Sequence, residues 1–195
     1  VSGLGIRNIG SAQMSGRIAA IAAHRETDGK TTLFVGAASG GVWKSEDGGM
    51  SFRSVFDRQP VQSIGDIAID PSNPKIVWVG TGESWTRNSV SVGNGVYKSV
   101  DGGQQWTRLS GGGFPGGSLG RIGLAATHTA QGTRLYAVVD AEKAARLYRS
   151  DGARAHWQPG HDDGDRVNRY VPRLPLTPHA PHPLSAERRS IRPPD

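Results

Sequence analysis

Short apolar runs alternate with glycine-containing turns over the first three quarters of the chain. Runs of this kind, bounded by Gly, Asp and Ser, are typical of strands in an all-β protein. One run recurs as Gly41-Val42-Trp43-Lys44-Ser45, as Gly95-Val96-Tyr97-Lys98-Ser99 and, more loosely, as Arg146-Leu147-Tyr148-Arg149-Ser150. The closing serines lie 54 and 51 residues apart, and two further strand-like runs precede each copy. The pattern therefore indicates three copies of one structural unit.

Each unit predicts four strands in about 40–50 residues, which is the size of one β-propeller blade. The predicted fold is all-β: a β-propeller fragment of about three four-stranded blades, at about 17–57, 63–109 and 120–158. Residues 1–16 are expected to form a lead-in strand. Since a closed ring needs about four to eight blades, we expect the chain to be a fragment that is oligomeric or poorly soluble alone.

The amino-acid composition changes near Asp151. Twenty-five of the 28 glycines lie in residues 1–151, whereas eight of the 12 prolines lie in 159–195. This last stretch has neither strand nor helix periodicity, so we predict a disordered tail. A reading-frame slip near Gly152 is the alternative, because GC-rich DNA read out of frame encodes Arg, Pro, Ala and His.

A shared turn motif follows the first two closing serines. It reads Ser45-Glu46-Asp47-Gly48-Gly49-Met50-Ser51-Phe52 and Ser99-Val100-Asp101-Gly102-Gly103-Gln104-Gln105-Trp106. The glycines supply positive φ, the aspartate accepts hydrogen bonds from the turn, and the aromatic residue packs back on the sheet. The predicted structural residues are Ser45, Asp47, Gly48, Gly49, Phe52, Ser99, Asp101, Gly102, Gly103 and Trp106. The third copy differs, because Asp151 comes one position early and the second glycine is missing.

The pattern Ser-x-Asp-Gly-Gly-x-x-Trp resembles the Asp-box, or BNR repeat, of sialidases, xyloglucanase-type hydrolases and sortilin-type propellers. Residues 6–109 are most similar to bacterial sortilin-like proteins that are often labelled glycosyl hydrolases. The resemblance implies that Asp47 and Asp101 are structural rather than catalytic. It also implies a larger exported parent, periplasmic or extracellular, that supplies the remaining blades. Since no signal peptide follows Val1, we expect that a signal was removed or that the sequence starts inside its gene.

The loop at 82–93 is the largest addition to one repeat relative to the others. In an antiparallel blade it shares a face with the inter-blade connections, opposite the Asp-box turns. Glu83, Trp85, Arg87 and Asn88 in this loop suit a polar, stackable ligand, and we predict a peptide- or glycan-binding site there. In the structural alternative, Trp85 packs on a neighbouring blade and Glu83 pairs with Arg87.

Two functions therefore stay open. The first is a sortilin-like scaffold that binds a peptide or glycan on the loop face, which the sequence favours. The second is a glycoside hydrolase acting on O-glycosidic bonds, which needs two carboxyl groups about 5–10 Å apart. The candidate catalytic residues are Asp57, Glu83, Asp140 and Glu142, and no sequence motif pairs any two of them.

The remaining composition excludes several classes of protein. The chain has no cysteine, which excludes disulfides, thiolate zinc sites and cysteine nucleophiles. The histidines have no ligand spacing, so neither a metal site nor a cofactor is predicted. The net charge of +6 comes without interleaved exposed aromatic residues, so no specific nucleic-acid partner is expected. No apolar run exceeds six residues, and we predict no membrane span.

Overall fold

The computed structural model describes residues 17–83, 91–141, 145–152 and 156–160. All regular elements in these ranges are β-strands, and no helix there could cross a membrane. The predicted lead-in strand and almost all of the predicted tail lie outside the described residues. The strands are β1 (Ile18–Arg25), β2 (Thr31–Ala37), β3 (Gly41–Ser45), β4 (Arg53–Ser54), β5 (Ile64–Ile69), β6 (Val77–Thr81), β7 (Val96–Ser99), β8 (Thr107–Leu109), β9 (Ile122–Thr129), β10 (Gly132–Val139), β11 (Arg146–Asp151) and β12 (Gln158–Pro159).

The strands form three four-stranded antiparallel sheets in which each strand pairs with the next one along the chain. We call β1–β4 blade 1, β5–β8 blade 2 and β9–β12 blade 3. This architecture confirms the prediction of an all-β propeller fragment. The same register recurs in each blade, since Val35 pairs with Trp43, Val79 with Tyr97 and Ala137 with Tyr148.

The hydrophobic core lies between the blades. Between blades 1 and 2, the ring of Phe56 makes edge contacts with Tyr97 and Trp106, with centroids 5.2 and 5.3 Å apart. The buried residues around these rings are Phe34, Val42, Ile64, Ile67, Val77 and Val79. A second cluster joins blades 2 and 3 and includes Trp78, Val96, Leu109, Leu119, Ile122, Leu135, Ala137, Val139, Tyr148 and Trp157. Burial of apolar area between sheets is therefore the main stabilising term.

The burial pattern of the second strands shows which blade has two neighbours. All five residues of β6 in blade 2 are buried. In β2 and β10, buried positions alternate with partly exposed ones. Successive side chains of a strand point to opposite faces, so β6 is covered on both faces and the other two strands on one.

Glycines allow neighbouring blades to approach closely at two equivalent positions. A Cβ added to Gly36 of β2 would lie 2.6 Å from Cγ2 of Ile64 in β5. A Cβ added to Gly80 of β6 would lie 2.4 Å from the carbonyl oxygen of Ile122 in β9. Neither glycine has a positive φ, so each is required by space and not by backbone conformation.

We expect Gly80→Ala to lower the free energy of unfolding by about 1–3 kcal/mol, because the new methyl group forces blades 2 and 3 apart. Urea unfolding monitored by tryptophan fluorescence measures this loss. The matched control is Gly116→Ala, since Gly116 has no positive φ and no atom within 4 Å of an added Cβ. Equal stability of the two variants would contradict the packing role of Gly80.

Candidate functional site

Backbone hydrogen bonds define one face of the molecule, which we call the loop face. They join the loops after each second strand to the connections between blades. Gly41 N–H donates to the backbone carbonyl of Gln62, Gly82 N–H to that of Ser63 and Gly120 N–H to that of Asp140, with N···O distances of 2.7–3.0 Å. The turns after β3 and β7 lie at the other end, where Gly48 N–H donates to Thr31 and Gly102 N–H to Lys75.

The two Asp-Gly-Gly turns, which follow β3 and β7, have nearly identical internal hydrogen bonds. The Ser99 hydroxyl donates to Oδ1 of Asp101 at 2.8 Å and accepts from Gly103 N–H at 2.8 Å. Ser45 makes the corresponding bonds to Asp47, at 2.7 Å, and to Gly49, at 2.8 Å. The serine and aspartate thus hold each turn from inside.

The turn aspartates are stabilised as carboxylates. Hydrogen bonds from the Ser51 hydroxyl and backbone N–H, then from Ser45, hold the pKa of Asp47 far below its usual range. Partial desolvation raises the pKa of Asp101, but the N–H groups of Gln105 and Gln104 and the Ser99 hydroxyl outweigh it and lower the pKa. A carboxylate saturated by its own turn is a structural group rather than a proton donor.

Asp151, the aspartate of the third copy of the motif, lies on a strand. Asp151 is the last residue of β11 and forms ion pairs with Arg134 and Arg149, at 2.5 and 3.3 Å. Its position one residue early in the motif places the carboxylate on the sheet rather than inside a turn.

Glu83 is the described member of the predicted ligand-binding set. Its side chain is fully buried and accepts a hydrogen bond from Nη2 of Arg17 at 3.0 Å. Ser91 N–H donates to its other carboxylate oxygen at 3.4 Å. The remaining members, Trp85, Arg87 and Asn88, lie outside the described residues. The sequence did not reveal the pairing with Arg17, because the two residues are 66 positions apart and in different blades.

Asp57 is another candidate carboxylate that lies within the described residues. Asp57 is exposed, accepts a hydrogen bond from the Ser54 hydroxyl, and lines a groove of about 590 Å³ beside Trp106. This groove runs between blade 1 and the Asp-Gly-Gly turn of blade 2. Glu142 lies outside the described residues.

Asp140 has the most unusual environment of the candidate carboxylates. It follows β10 and is 5% exposed, and its Oδ2 atom is buried without a hydrogen-bond partner. Desolvation raises the pKa of its carboxyl to about 6. A buried unpartnered carboxyl is costly to a fold, and such groups cluster at functional sites.

The repeat shows that the fold itself does not require this carboxyl. The N–H groups of Ala38, Gly82 and Asp140 donate to equivalent carbonyls, those of Arg17, Ser63 and Arg121, at 3.0 Å in each blade. Blades 1 and 2 thus have Ala38 and Gly82, which carry no polar side chain, at the position where blade 3 has Asp140. Comparison of the three repeats is the sequence signal that would have singled out Asp140.

The loop face therefore carries two buried carboxyl groups with different surroundings. Glu83 is ion-paired, and Asp140 is desolvated with a raised pKa, so the second can hold a proton near neutral pH. Among the described residues no group of three or more His, Cys, Asp or Glu side chains could hold a metal ion.

No protein-family model and no curated protein sequence matches this chain. Among solved structures it is similar to an ancestral GH74 enzyme, at 20% identity and a TM-score of 0.52 over 76% of this chain. It is also similar to the GH74 enzyme of Niastella koreensis, at 21% identity and a TM-score of 0.47 over 66% of this chain. The GH74 xyloglucanase from Xanthomonas campestris has 21% identity and a TM-score of 0.48 over 75% of this chain.

These likenesses concern the fold. The chain spans 19% of the ancestral enzyme, 19% of the Niastella enzyme and 24% of the Xanthomonas enzyme. At 20% identity, the similarity to the ancestral enzyme supports the arrangement of the strands in this chain and nothing about its chemistry.

Replacing Ser99 tests the structural role of the Asp-Gly-Gly turns. Ser99→Ala leaves the buried Gly103 N–H without its acceptor, so we expect a loss of about 1–3 kcal/mol in the free energy of unfolding. Chemical denaturation measures the change, with the exposed Ser110→Ala as the matched control. A loss no greater than that of the control would show that the turn does not depend on this bond.

The raised pKa of Asp140 predicts that the stability of the folded protein changes with pH. Its pKa is about 6 in the folded protein and about 3.9 in an unfolded chain, so between these values only the folded state keeps the proton. The resulting stabilisation is complete below about pH 4 and is lost as the pH rises through 6. Asp140→Asn removes this stabilisation because asparagine does not titrate. We therefore expect the free energy of unfolding of the variant, minus that of wild type, to be larger at pH 7 than at pH 4 by about 1–3 kcal/mol.

Urea unfolding of the two proteins from pH 4 to pH 7 measures this difference. Asp140→Ser is the second non-ionising variant and should show the same change with pH. A constant difference between wild type and both variants across this range would mean that the carboxyl does not titrate there.

Proposed function

We propose that this chain is part of an Asp-box propeller glycoside hydrolase, in which Asp140 is the proton-donating carboxyl of the loop face. The observation that carries the proposal is the buried Asp140 side chain, with its unpartnered Oδ2 and its pKa of about 6. Glycoside hydrolysis needs one carboxyl that is protonated near neutral pH and a second that is ionised. The similar structures are GH74 enzymes, which are glycoside hydrolases, and this supports the choice of reaction class.

Glu83 is the second carboxylate that the proposal uses. The proposal assigns it as the nucleophile or the base, and Arg17 of blade 1 is its ion-pair partner. It lies in the loop after the second strand of blade 2, as Asp140 lies after the second strand of blade 3. The adjacent sequence Trp85, Arg87 and Asn88 suits the sugar rings and hydroxyl groups of a polysaccharide.

The proposal includes the larger parent. The hydrogen bonds of the two Asp-box turns support the assignment of an Asp-box protein. We infer that further blades of this parent complete the substrate site, and that it is exported to the periplasm or the cell exterior, where polysaccharides are found.

A binding scaffold of the sortilin-like kind is the second candidate. The Glu83 side chain is fully buried and forms an ion pair with Arg17, and this observation favours the scaffold. The pair lies at the start of the sequence loop that contains Trp85, and it can hold a ligand without reacting. Under this alternative Trp85→Ala weakens glycan or peptide binding by about 1–3 kcal/mol, and no polysaccharide is hydrolysed.

Turnover and binding of polysaccharides distinguish the two functions. Chromatography of oligosaccharides released from a panel of β-glucans should show product with the full-length wild-type parent, in which all variants are made, and the rate should fall as the pH rises above about 6. Asp140→Asn should lower this rate by about 100-fold or more while glycan affinity, measured by calorimetry, is retained. Asp57→Asn is the matched control and should keep the wild-type rate. Binding without release of product would favour the scaffold, and full activity of Asp140→Asn would refute the role of Asp140.

A further inference from the structure

The inner strand of blade 2 has a bulge that lies against blade 3. The register of β5 shifts between Ile64 and Asp66, so Gly65 is an extra residue in this strand. A Cβ added to Gly65 would lie 2.8 Å from the carbonyl oxygen of Ile122 in β9. Gly65 has no positive φ, so the close approach of β9, and not the backbone conformation, requires a glycine here.

Two hydrogen bonds that use side chains join this bulge to the beginning of β9. Arg121, the residue before β9, donates from Nε to the carbonyl oxygen of Gly65 at 3.1 Å. Leu124 N–H donates to Oδ2 of Asp66 at 2.9 Å. We call these two bonds the clamp. The other oxygen of Asp66 accepts from Ile67 N–H at 2.9 Å, so one carboxyl group binds two neighbouring inner strands.

The contact between blades 1 and 2 is built from other residues. Ala20 occupies the position of Asp66 in the inner strand of blade 1. Ser63 occupies the position of Arg121, and its hydroxyl donates to the Val92 carbonyl of its own blade at 3.0 Å. Two blades thus pack together without the side chains of the clamp. This points to a role for the clamp beyond holding two sheets together.

The clamp is directly connected to the backbone of Asp140. The Arg121 carbonyl accepts from Asp140 N–H at 3.0 Å, and Gly120 N–H donates to the Asp140 carbonyl at 2.7 Å. Arg121 therefore binds blade 2 through its side chain and Asp140 through its backbone. Because residues 120 and 121 hold both polar backbone groups of Asp140, their position sets that of its side chain.

Arg17 occupies the position of Arg121 in blade 1, since its carbonyl accepts from Ala38 N–H as that of Arg121 accepts from Asp140 N–H. The Arg17 side chain donates to Glu83 at 3.0 Å. Arginines at equivalent positions thus contact both carboxyl residues of the proposed site, one through its side chain and the other through its backbone.

We propose that Arg121 is a positioning residue for Asp140, because it fixes the start of β9 against the bulge of blade 2. Asp66 supports it by holding the same strand three residues further along. The proposal rests on the proposed function for the role of Asp140 as proton donor. The surroundings of the Asp140 carboxyl, however, are measurable without any hydrolysis.

The pKa of Asp140 reports on this positioning. Asp140 is 5% exposed, and burial raises its pKa to about 6. Among the described residues no charged side chain contributes to this change. If residues 120 and 121 move away from blade 2, water reaches the carboxyl, and its pKa falls towards the value of an exposed aspartate, about 3.9.

Two replacements of similar length test the role of Arg121. Arg121→Gln keeps an N–H donor at the position of Nε, whereas Arg121→Met has no donor. Both remove the positive charge, and the loss of this charge alone would raise the pKa of a nearby carboxyl. We expect the pKa of Asp140 to fall from about 6 to below about 5 in Arg121→Met and to show no such fall in Arg121→Gln.

Carbon-13 NMR of protein labelled at the aspartate carboxyl carbon measures this pKa between about pH 3 and pH 8. The signal of Asp140 is identified by its absence from Asp140→Asn. In the full-length parent, Arg121→Met should move the decline of hydrolysis to lower pH and leave KM unchanged, whereas Arg121→Gln should not move it to lower pH.

Two further variants separate positioning from a general loss of packing. Gly65→Ala pushes β9 away from the bulge without a change of charge, so the pKa of Asp140 should fall in this variant also. Ser72 joins blades 2 and 3 at the opposite end of the sheets, with its hydroxyl 3.5 Å from that of Thr133. Ser72→Ala should lower the stability and leave the pKa of Asp140 unchanged.

An unchanged pKa of Asp140 in Arg121→Met would overturn the positioning role, and so would an equal fall in Arg121→Gln or in Ser72→Ala. If Arg121→Met does not fold, an unchanged pKa in Gly65→Ala overturns it instead. A fall in Arg121→Met and Gly65→Ala, with no hydrolysis by the parent, would support the positioning of Asp140 and refute the proposed function.

Discussion

Close contact between successive sheets is the constraint on which this structure depends. Each blade alone is a thin antiparallel sheet, and its apolar residues are buried when another sheet lies against it. Gly36 and Gly80 make that approach possible, because any larger residue would collide with the next inner strand. The rings of Phe56, Tyr97 and Trp106 interlock around this contact. Stability and the position of every loop therefore follow from pairs of blades rather than from single ones.

The same packing creates unequal environments on the loop face. Glu83 lies where Arg17 of the neighbouring blade can pair with it, so its charge is balanced. Asp140 occupies a position held by Ala38 and Gly82 in the other blades, and it is buried without a partner for Oδ2. Two carboxyl groups in equivalent loops thus have different surroundings, since one has an ion-pair partner and Oδ2 of the other has no hydrogen-bond partner. Burying the unpartnered carboxyl lowers the stability of the fold, and the apolar contacts between the blades offset this loss.

Local signals in the sequence were sufficient for the hairpin turns. The Asp-Gly-Gly runs predicted tight turns, and Asp101 accepts hydrogen bonds within its own turn, where every partner lies within four residues. The same kind of reasoning suggested Arg87, which lies outside the described residues, as a partner of Glu83, and it gave no sign of the ion pair that Glu83 makes with Arg17 of blade 1. It also placed Asp140 on the loop face without showing that it would be desolvated. Contacts between blades involve residues about 50–70 positions apart, and local spacing carries no information about them.

The sequence by itself determined the fold class, the number of blades in this segment and the turn chemistry, because strand periodicity and glycine turns act over a few residues. Only the tertiary structure decided which faces are covered. The alternation in β2 and β10, against the full burial of β6, arises from the presence of one or two neighbouring sheets. It also decided the pKa of Asp140, which is raised by desolvation, a property of the packed surroundings and not of the residue or its sequence neighbours.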